Sequence, residues 1–190
     1  MKFMHCLASV ILASILGACG EVQNQKIIGR APVDYVNPYM GNISHLLVPT
    51  FPTIHLPNSM LRVYPERADY TTDQLNGLPL IVTSHRGSSA FNLSPYQGDS
   101  LRPVIAYSYD DEKLKPYYYE VFLDDAEINV KYAPSHQSAL YQIEYGQPNK
   151  PAYMMINSQN GVIKAGDGFV SGYQQLQNNT CVYLLSLIHI

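Results

Sequence analysis

Residues 126–145 read AEINVKYAPSHQSALYQIEY, and this stretch decides the fold. Ile128, Val130 and Tyr132 alternate with Asn129 and Lys131; further on, Tyr141, Ile143 and Tyr145 alternate with Gln142 and Glu144. A period of two sends one set of side chains to a buried face and the other to water, as in a half-buried strand; a helix needs a repeat near 3.6. The spacing predicts strands over Ala126–Ala133 and Ser138–Tyr145.

The same reading extends in both directions. Short runs rich in β-branched and aromatic residues predict strands at Ser59–Pro65, Leu78–Ser84, Arg102–Tyr109 and Tyr117–Leu123, and then at Ala152–Asn157, Gly161–Ala165 and Gly168–Gln174. Turn-formers separate them: Leu123-Asp124-Asp125, Gly146-Gln147-Pro148-Asn149, Ser158-Gln159-Asn160-Gly161 and Gly166-Asp167-Gly168. The stretch from Pro32 to Pro57 holds five prolines, both ends included, with several Asn, Gly and His, which predicts an irregular ordered segment over one rim. Many short strands with no helical periodicity indicate an all-β protein, an antiparallel sandwich or barrel.

Composition agrees. The chain has 190 residues, enough for one domain, with 14% charged and 46% hydrophobic residues and a formal charge of −3. Low charge with ample apolar content argues against disorder. The twelve cations are scattered, so nucleic acid is not an expected partner. Sixteen Tyr against five Phe and no Trp suit strands better than helices.

The first 18 residues read as a leader. Lys2 opens an apolar stretch from Leu7 to Leu16, and Leu16-Gly17-Ala18-Cys19 resembles the lipobox that directs a diacylglycerol onto a cysteine sulfur. The expected layout is a lipoprotein signal peptide at 1–18, lipidation at Cys19, a tether at 19–32, a β-sandwich at 33–184 and a tail at 185–190. Two or three acyl chains suffice for stable anchoring, so membrane contact is expected through the lipid alone, in the cell envelope at the periplasm or outer membrane. Cys6 leaves with the leader, and Cys181 alone remains, which predicts a buried small hydrophobe and no disulfide.

No self-sufficient chemistry is visible. The histidines at 45, 55, 85, 136 and 189 lack the tight spacing of a zinc motif. Gly87-Ser88-Ser89 lacks the second glycine of a nucleophile elbow. Asp110-Asp111-Glu112 reads as a solvated loop and Asp124-Asp125 as a hairpin turn; a calcium site built from them would need the loop geometry shown. His55, between Ile54 and Leu56, reads as a packing residue, and Tyr117-Tyr118-Tyr119 as a strand with one ring in the core.

Several short stretches carry a resemblance. Tyr35-Val36-Asn37-Pro38-Tyr39-Met40-Gly41 is similar to the Val-Asn-Pro-Phe-Ile-Gly opening of glycoside hydrolase family 92, the exo-acting α-mannosidases. Thr50-Phe51-Pro52, Pro57, Met60 and Pro65 follow at the family's spacing, and Ser84-His85 sits where the family has Gly-Phe-Ser-His. Tyr107-Ser108, Glu112 and Pro116–Leu123 parallel its next two motifs, and Gly172-Tyr173 and Val182-Tyr183 fall on later ones. Departures are also clear: Thr53, Asn58 and Ser59 replace Gly, Phe and Gly, while Tyr109, Lys131, Gln137 and Tyr141 stand for His, Glu, Arg and His.

The resemblance implies an N-terminal β-sandwich, incomplete at its C-terminus, whose relatives continue into a C-terminal (α/α)₆ domain. That second domain carries the two carboxyls of an inverting glycosidase and most of a Ca²⁺ site, so no catalytic residue, metal ligand or cofactor is expected in this chain. It implies the non-catalytic N-terminal portion of a lipid-anchored exo-α-mannosidase acting on mannose-containing glycans, with the sandwich loops forming one wall of the sugar pocket. Candidate sugar contacts are His85 and Arg86, at the end of the predicted strand Leu78–Ser84, with Asp73 and Asn76 from the preceding turn. The competing reading makes Arg86 a surface cation and His85 a turn cap. The alternative for the whole chain is a stand-alone carbohydrate-binding or scaffold lipoprotein with the same sandwich. The final stretch Cys181–Ile190 (CVYLLSLIHI) is apolar and uncharged, too short to span a bilayer. It reads either as a last core strand or, over 185–190, as a non-native tail similar to translated sequencing-adapter sequence.

Overall fold

The computed structural model describes residues 29–42, 46, 50–68, 72–84, 88–102, 104 and 106–189. The chain divides into two compact units, 1–31 and 32–190, and the architecture below is that of the second. The leader and Cys19 lie outside the described residues.

Thirteen strands are present among the described residues: β1 (Ile54–His55), β2 (Arg62–Val63), β3 (Gln74–Leu75), β4 (Leu78–Ser84), β5 (Ser88–Gln97), β6 (Tyr107–Lys115), β7 (Tyr118–Leu123), β8 (Ile128–Pro134), β9 (Ala139–Tyr145), β10 (Ala152–Asn157), β11 (Gly161–Gly166), β12 (Phe169–Gln175) and β13 (Cys181–Leu187). Short 3₁₀ turns at Pro32–Tyr35, Asp124–Ala126 and Gln177–Asn179 are the helical elements among them. All strand pairs are antiparallel, in sheets ordered β3-β6-β7-β8-β9, β10-β5-β4, β11-β12-β13 and β1-β2. The fold is the expected all-β antiparallel sandwich.

The decisive stretch becomes β8 and β9. Their register with β7 builds three inner rows: Leu123–Ile128–Tyr145, Val121–Val130–Ile143 and Tyr119–Tyr132–Tyr141. Ile128, Val130, Tyr132, Val121 and Leu123 are fully buried, so alternation in sequence has become burial in the core. Leu78 and Leu93 from the β10-β5-β4 sheet, with Ile54 and Val63 from β1 and β2, complete the cluster. Two hydroxyls bond across the layers: Tyr107 Oη donates to the Pro95 carbonyl at 2.7 Å and Tyr145 Oη to that of Tyr153 at 2.9 Å. The outer face carries a cross-strand charge ladder, with Lys113 on Glu120 and Lys131 on Glu144, both at 3.1 Å. Lys131, where the resembling family has Glu, is thus a water-facing partner in this ladder.

Several expectations need correction. The run Ser59–Pro65 narrows to Arg62–Val63, because Ser59 and Met60 bond to the β8–β9 turn instead: the Met60 amide donates to the His136 carbonyl at 2.8 Å and Ser59 Oγ to that of Ser135 at 3.0 Å. The strand expected over Arg102–Tyr109 begins only at Tyr107 and runs on through the acidic triplet to Lys115. A bulge between Asp110 and Lys113, with Asp111 at φ 53°, absorbs one extra residue, so the triplet lies in a strand and not in a solvated loop. β5 was not expected at all, since Ser, Asn, Pro and Gln make up more than half of it. His55 is exposed, its Nε2 3.2 Å from the Ser59 carbonyl, rather than packed. The final strand is real but is no core strand: β13 is a sheet edge, with Tyr183, Leu185 and Leu187 at 79%, 70% and 75% exposure. Cys181 sits at its start, part-buried.

Candidate functional site

Two polar centres flank the short strand β3. The first is built around Glu112, which the β6 bulge brings into contact with Arg67, from the segment after β2. Arg67 Nη2 and Glu112 Oε1 form an ion pair whose side chains are only 7% and 10% exposed. Tyr119 Oη donates to the same oxygen at 3.1 Å, and Tyr39 Oη donates to Oε2 at 2.8 Å. The Arg67 guanidinium lies 5.0 Å from the centre of the Tyr109 ring, within cation–π range. Burial works against the Arg67 charge, but the hydrogen bond and charge of Glu112 outweigh it and the guanidinium is held more firmly protonated. Burial first, then the Glu112 hydrogen bond, pushes the Tyr39 hydroxyl well up. Glu112 thus accepts from Arg67, Tyr119 and Tyr39 at once, so the cluster is a clasp that ties these three side chains to β6. Asp73, at the near end of β3, adds its charge beside Tyr109 and is exposed.

The second centre lies at the other end of β3. Asn76 is exposed, and its amide donates to the Glu66 carbonyl at 2.7 Å; the Glu66 amide donates in turn to the Gly77 carbonyl at 3.0 Å. Gly77 has φ 147°, and a side chain there would collide with Asn92, so this position requires glycine. The space so kept lets Asn92 turn toward Glu66: Asn92 Nδ2 donates to Glu66 Oε2 at 2.7 Å, while Asn92 Oδ1 accepts from the Leu78 amide at 3.1 Å. Burial raises the Glu66 carboxyl above the usual carboxylate range, against the smaller pull of Asn92.

Of the four candidate sugar contacts, Asp73 and Asn76 are thus exposed at opposite ends of one two-residue strand. His85 and Arg86 lie outside the described residues, between Ser84 and Ser88, which face each other across β4 and β5. Sequence reasoning passed over Glu66, Arg67 and Asn92. Tyr39 and Glu112 carried the family resemblance without a role, and their mutual contact, 73 residues apart in sequence, was invisible without the fold. Two of the positions that depart from the family, Tyr109 and Tyr141, pack as rings, under Arg67 and against Tyr132 at 4.7 Å. Among the described residues, no three His, Cys, Asp or Glu side chains converge closely enough to hold a metal ion.

Fold and polar centres together define a two-layer sandwich domain with its polar groups gathered around short strands at its rim. The chain belongs to glycosyl hydrolase family 92: residues 35–183 match that family's N-terminal domain. Among solved structures, it is similar to a family 92 α-mannosidase from Bacteroides thetaiotaomicron, at 21% identity and TM-score 0.61 over 74% of this chain. The same enzyme in complex with mannoimidazole gives 21% identity and TM-score 0.60. At this identity the likeness is one of fold. The chain spans 23% and 22% of the length of those two structures. No curated protein matches it.

Proposed function

We propose that this chain is the non-catalytic sandwich portion of a lipid-anchored exo-α-mannosidase acting on mannose-containing glycans. In this reading Cys19 carries the lipid in the cell envelope. Asp73, Asn76, His85 and Arg86 form one wall of the sugar pocket, facing an (α/α)₆ domain that supplies the acid, the base and the Ca²⁺ ligands. The observation that carries it is the family match, which extends over residues 35–183 and is to the N-terminal domain alone. The Glu112 cluster supports a structural role for the motifs within it: Tyr39, from the family-like opening, is spent on holding Glu112 and leaves the sugar to other side chains.

The test compares two polypeptides on an aryl α-mannoside: the 190-residue chain, and the chain expressed with whatever coding sequence follows residue 190 in the gene. Turnover only by the longer product is the expected result. Turnover by the 190-residue chain itself overturns the proposal, and a stop codon directly after Ile190 favours a stand-alone binding lipoprotein.

A further inference from the structure

A hollow of about 160 Å³ opens where β5, β10 and β12 meet, lined by Glu66, Phe91, Asn92, Asn157, Gln159 and Gln174. Its floor is built with unusual care. Phe91, in the middle of β5, has φ 55°, a left-handed conformation that costs an ordinary side chain about 1–2 kcal/mol. In that conformation its amide donates to Gln174 Oε1 at 2.9 Å. Gln174, 3% exposed, also donates to the Ser89 carbonyl at 3.3 Å and accepts from Ser158 Oγ at 3.3 Å, so one buried amide ties β12 to β5. On the rim, Asn157 and Gln159 are exposed, and their side chains make no hydrogen bond to another described residue.

The lining selects a ligand class. Among the described residues that line the hollow there is no lysine, arginine or histidine, and Phe91 gives it an apolar side beside the amides and the single carboxylate. Amides that can both donate and accept, beside a half-buried carboxylate that only accepts, match hydroxyl groups, which also do both. At ~30 Å³ per water, the space holds about five waters, similar to the number of oxygens on one sugar ring. Drug-sized sites run to ~300–1,000 Å³, so an oligosaccharide does not fit.

We infer that this hollow is a binding site for a single neutral sugar unit, held by the Asn157 and Gln159 amides on the rim and by Glu66 and Asn92 below. The site adjoins Asn76 of the wall proposed above, whose backbone amide donates to the Glu66 carbonyl, and it rests on the mannosidase reading only for the choice of first probe. Binding through so few groups is weak, with a dissociation constant of order 1 mM or higher.

The experiment titrates the whole chain with methyl α-mannoside, methyl β-glucoside and, separately, CaCl₂, following backbone amide signals by ¹H–¹⁵N NMR. The expected result is that at least one glycoside shifts the signals of Phe91, Asn92 and Gln174. Asn157→Ala and Gln159→Ala, both on the exposed rim, should each weaken that response about tenfold while leaving the rest of the spectrum unchanged. The inference is overturned if neither glycoside shifts these signals up to about 100 mM, if the shifts map elsewhere, if both variants bind as well as the parent chain, or if Ca²⁺ alone moves the same signals. Its failure leaves the turnover comparison untouched, and a failed turnover comparison leaves this site standing.

Discussion

Glu112 is a residue whose neighbours reverse its first reading. In sequence it closes an acidic triplet that looks solvated; in the fold it neutralises Arg67 and takes hydroxyls from Tyr39 and Tyr119. Removing one partner of a buried pair strands the other's charge, at a cost of about 3–5 kcal/mol, whereas replacing both by apolar groups is often near neutral. Glu112→Ala should therefore lower the urea midpoint sharply, and the double variant Arg67→Met/Glu112→Leu should recover most of the loss. Equal losses in the two would remove the ion pair from the account. Glu66 behaves oppositely. Its folded carboxyl binds a proton more tightly than the unfolded one, so its contribution favours folding at low pH and is lost as pH rises through the raised value. Glu66→Gln should be more stable than the parent at pH 7, with the gap closing toward pH ~4, the ordinary carboxylate range. Thermal unfolding at the two pH values reads this directly; a variant less stable at pH 7 contradicts it.

At the scale of elements, legibility followed how one-sided each strand's surroundings are. β8 and β9 bury one face and wet the other, so each residue's polarity reports its face. β4 and β10 were also placed correctly, at Leu78–Ser84 and Ala152–Asn157. β5 was invisible because its polar residues serve neighbouring elements: Asn92 reaches Glu66, and the Gln97 side chain binds the loop between β9 and β10. β6 was displaced because a bulge breaks the period of two at the triplet. β13 was legible as a strand, but its environment was not. Strand pairing needs only backbone, whereas burial needs a second layer over the face that holds Tyr183, Leu185 and Leu187. An apolar edge without charges or proline is a template for association. Leu185→Lys should therefore reduce concentration-dependent light scattering of the chain while leaving its unfolding midpoint within experimental error; unchanged scattering counts against this.

For the molecule as a whole, the sandwich is held by one continuous core drawn from three of its sheets, with water-facing charge pairs on the outer side of the largest. The β11-β12-β13 sheet joins through different chemistry: the Gln174 amide bonds to β5 without extending the core cluster. That junction is where the hollow lies, because polar groups bridging two layers cannot close-pack as apolar ones do.

By itself, the sequence determined that the chain is all-β, which residues of β8 and β9 share the inward face, and which family it resembles. These follow from local alternation and from the order of short motifs, both of which survive without a third dimension. Only tertiary structure decided that Tyr39, Arg67 and Glu112 form one clasp, that Gly77 makes room for Asn92, and that Glu66, Asn157 and Gln174 share a hollow. Those groups lie tens of residues apart, and nothing in the local pattern encodes a meeting that depends on how separate sheets come to rest on one another.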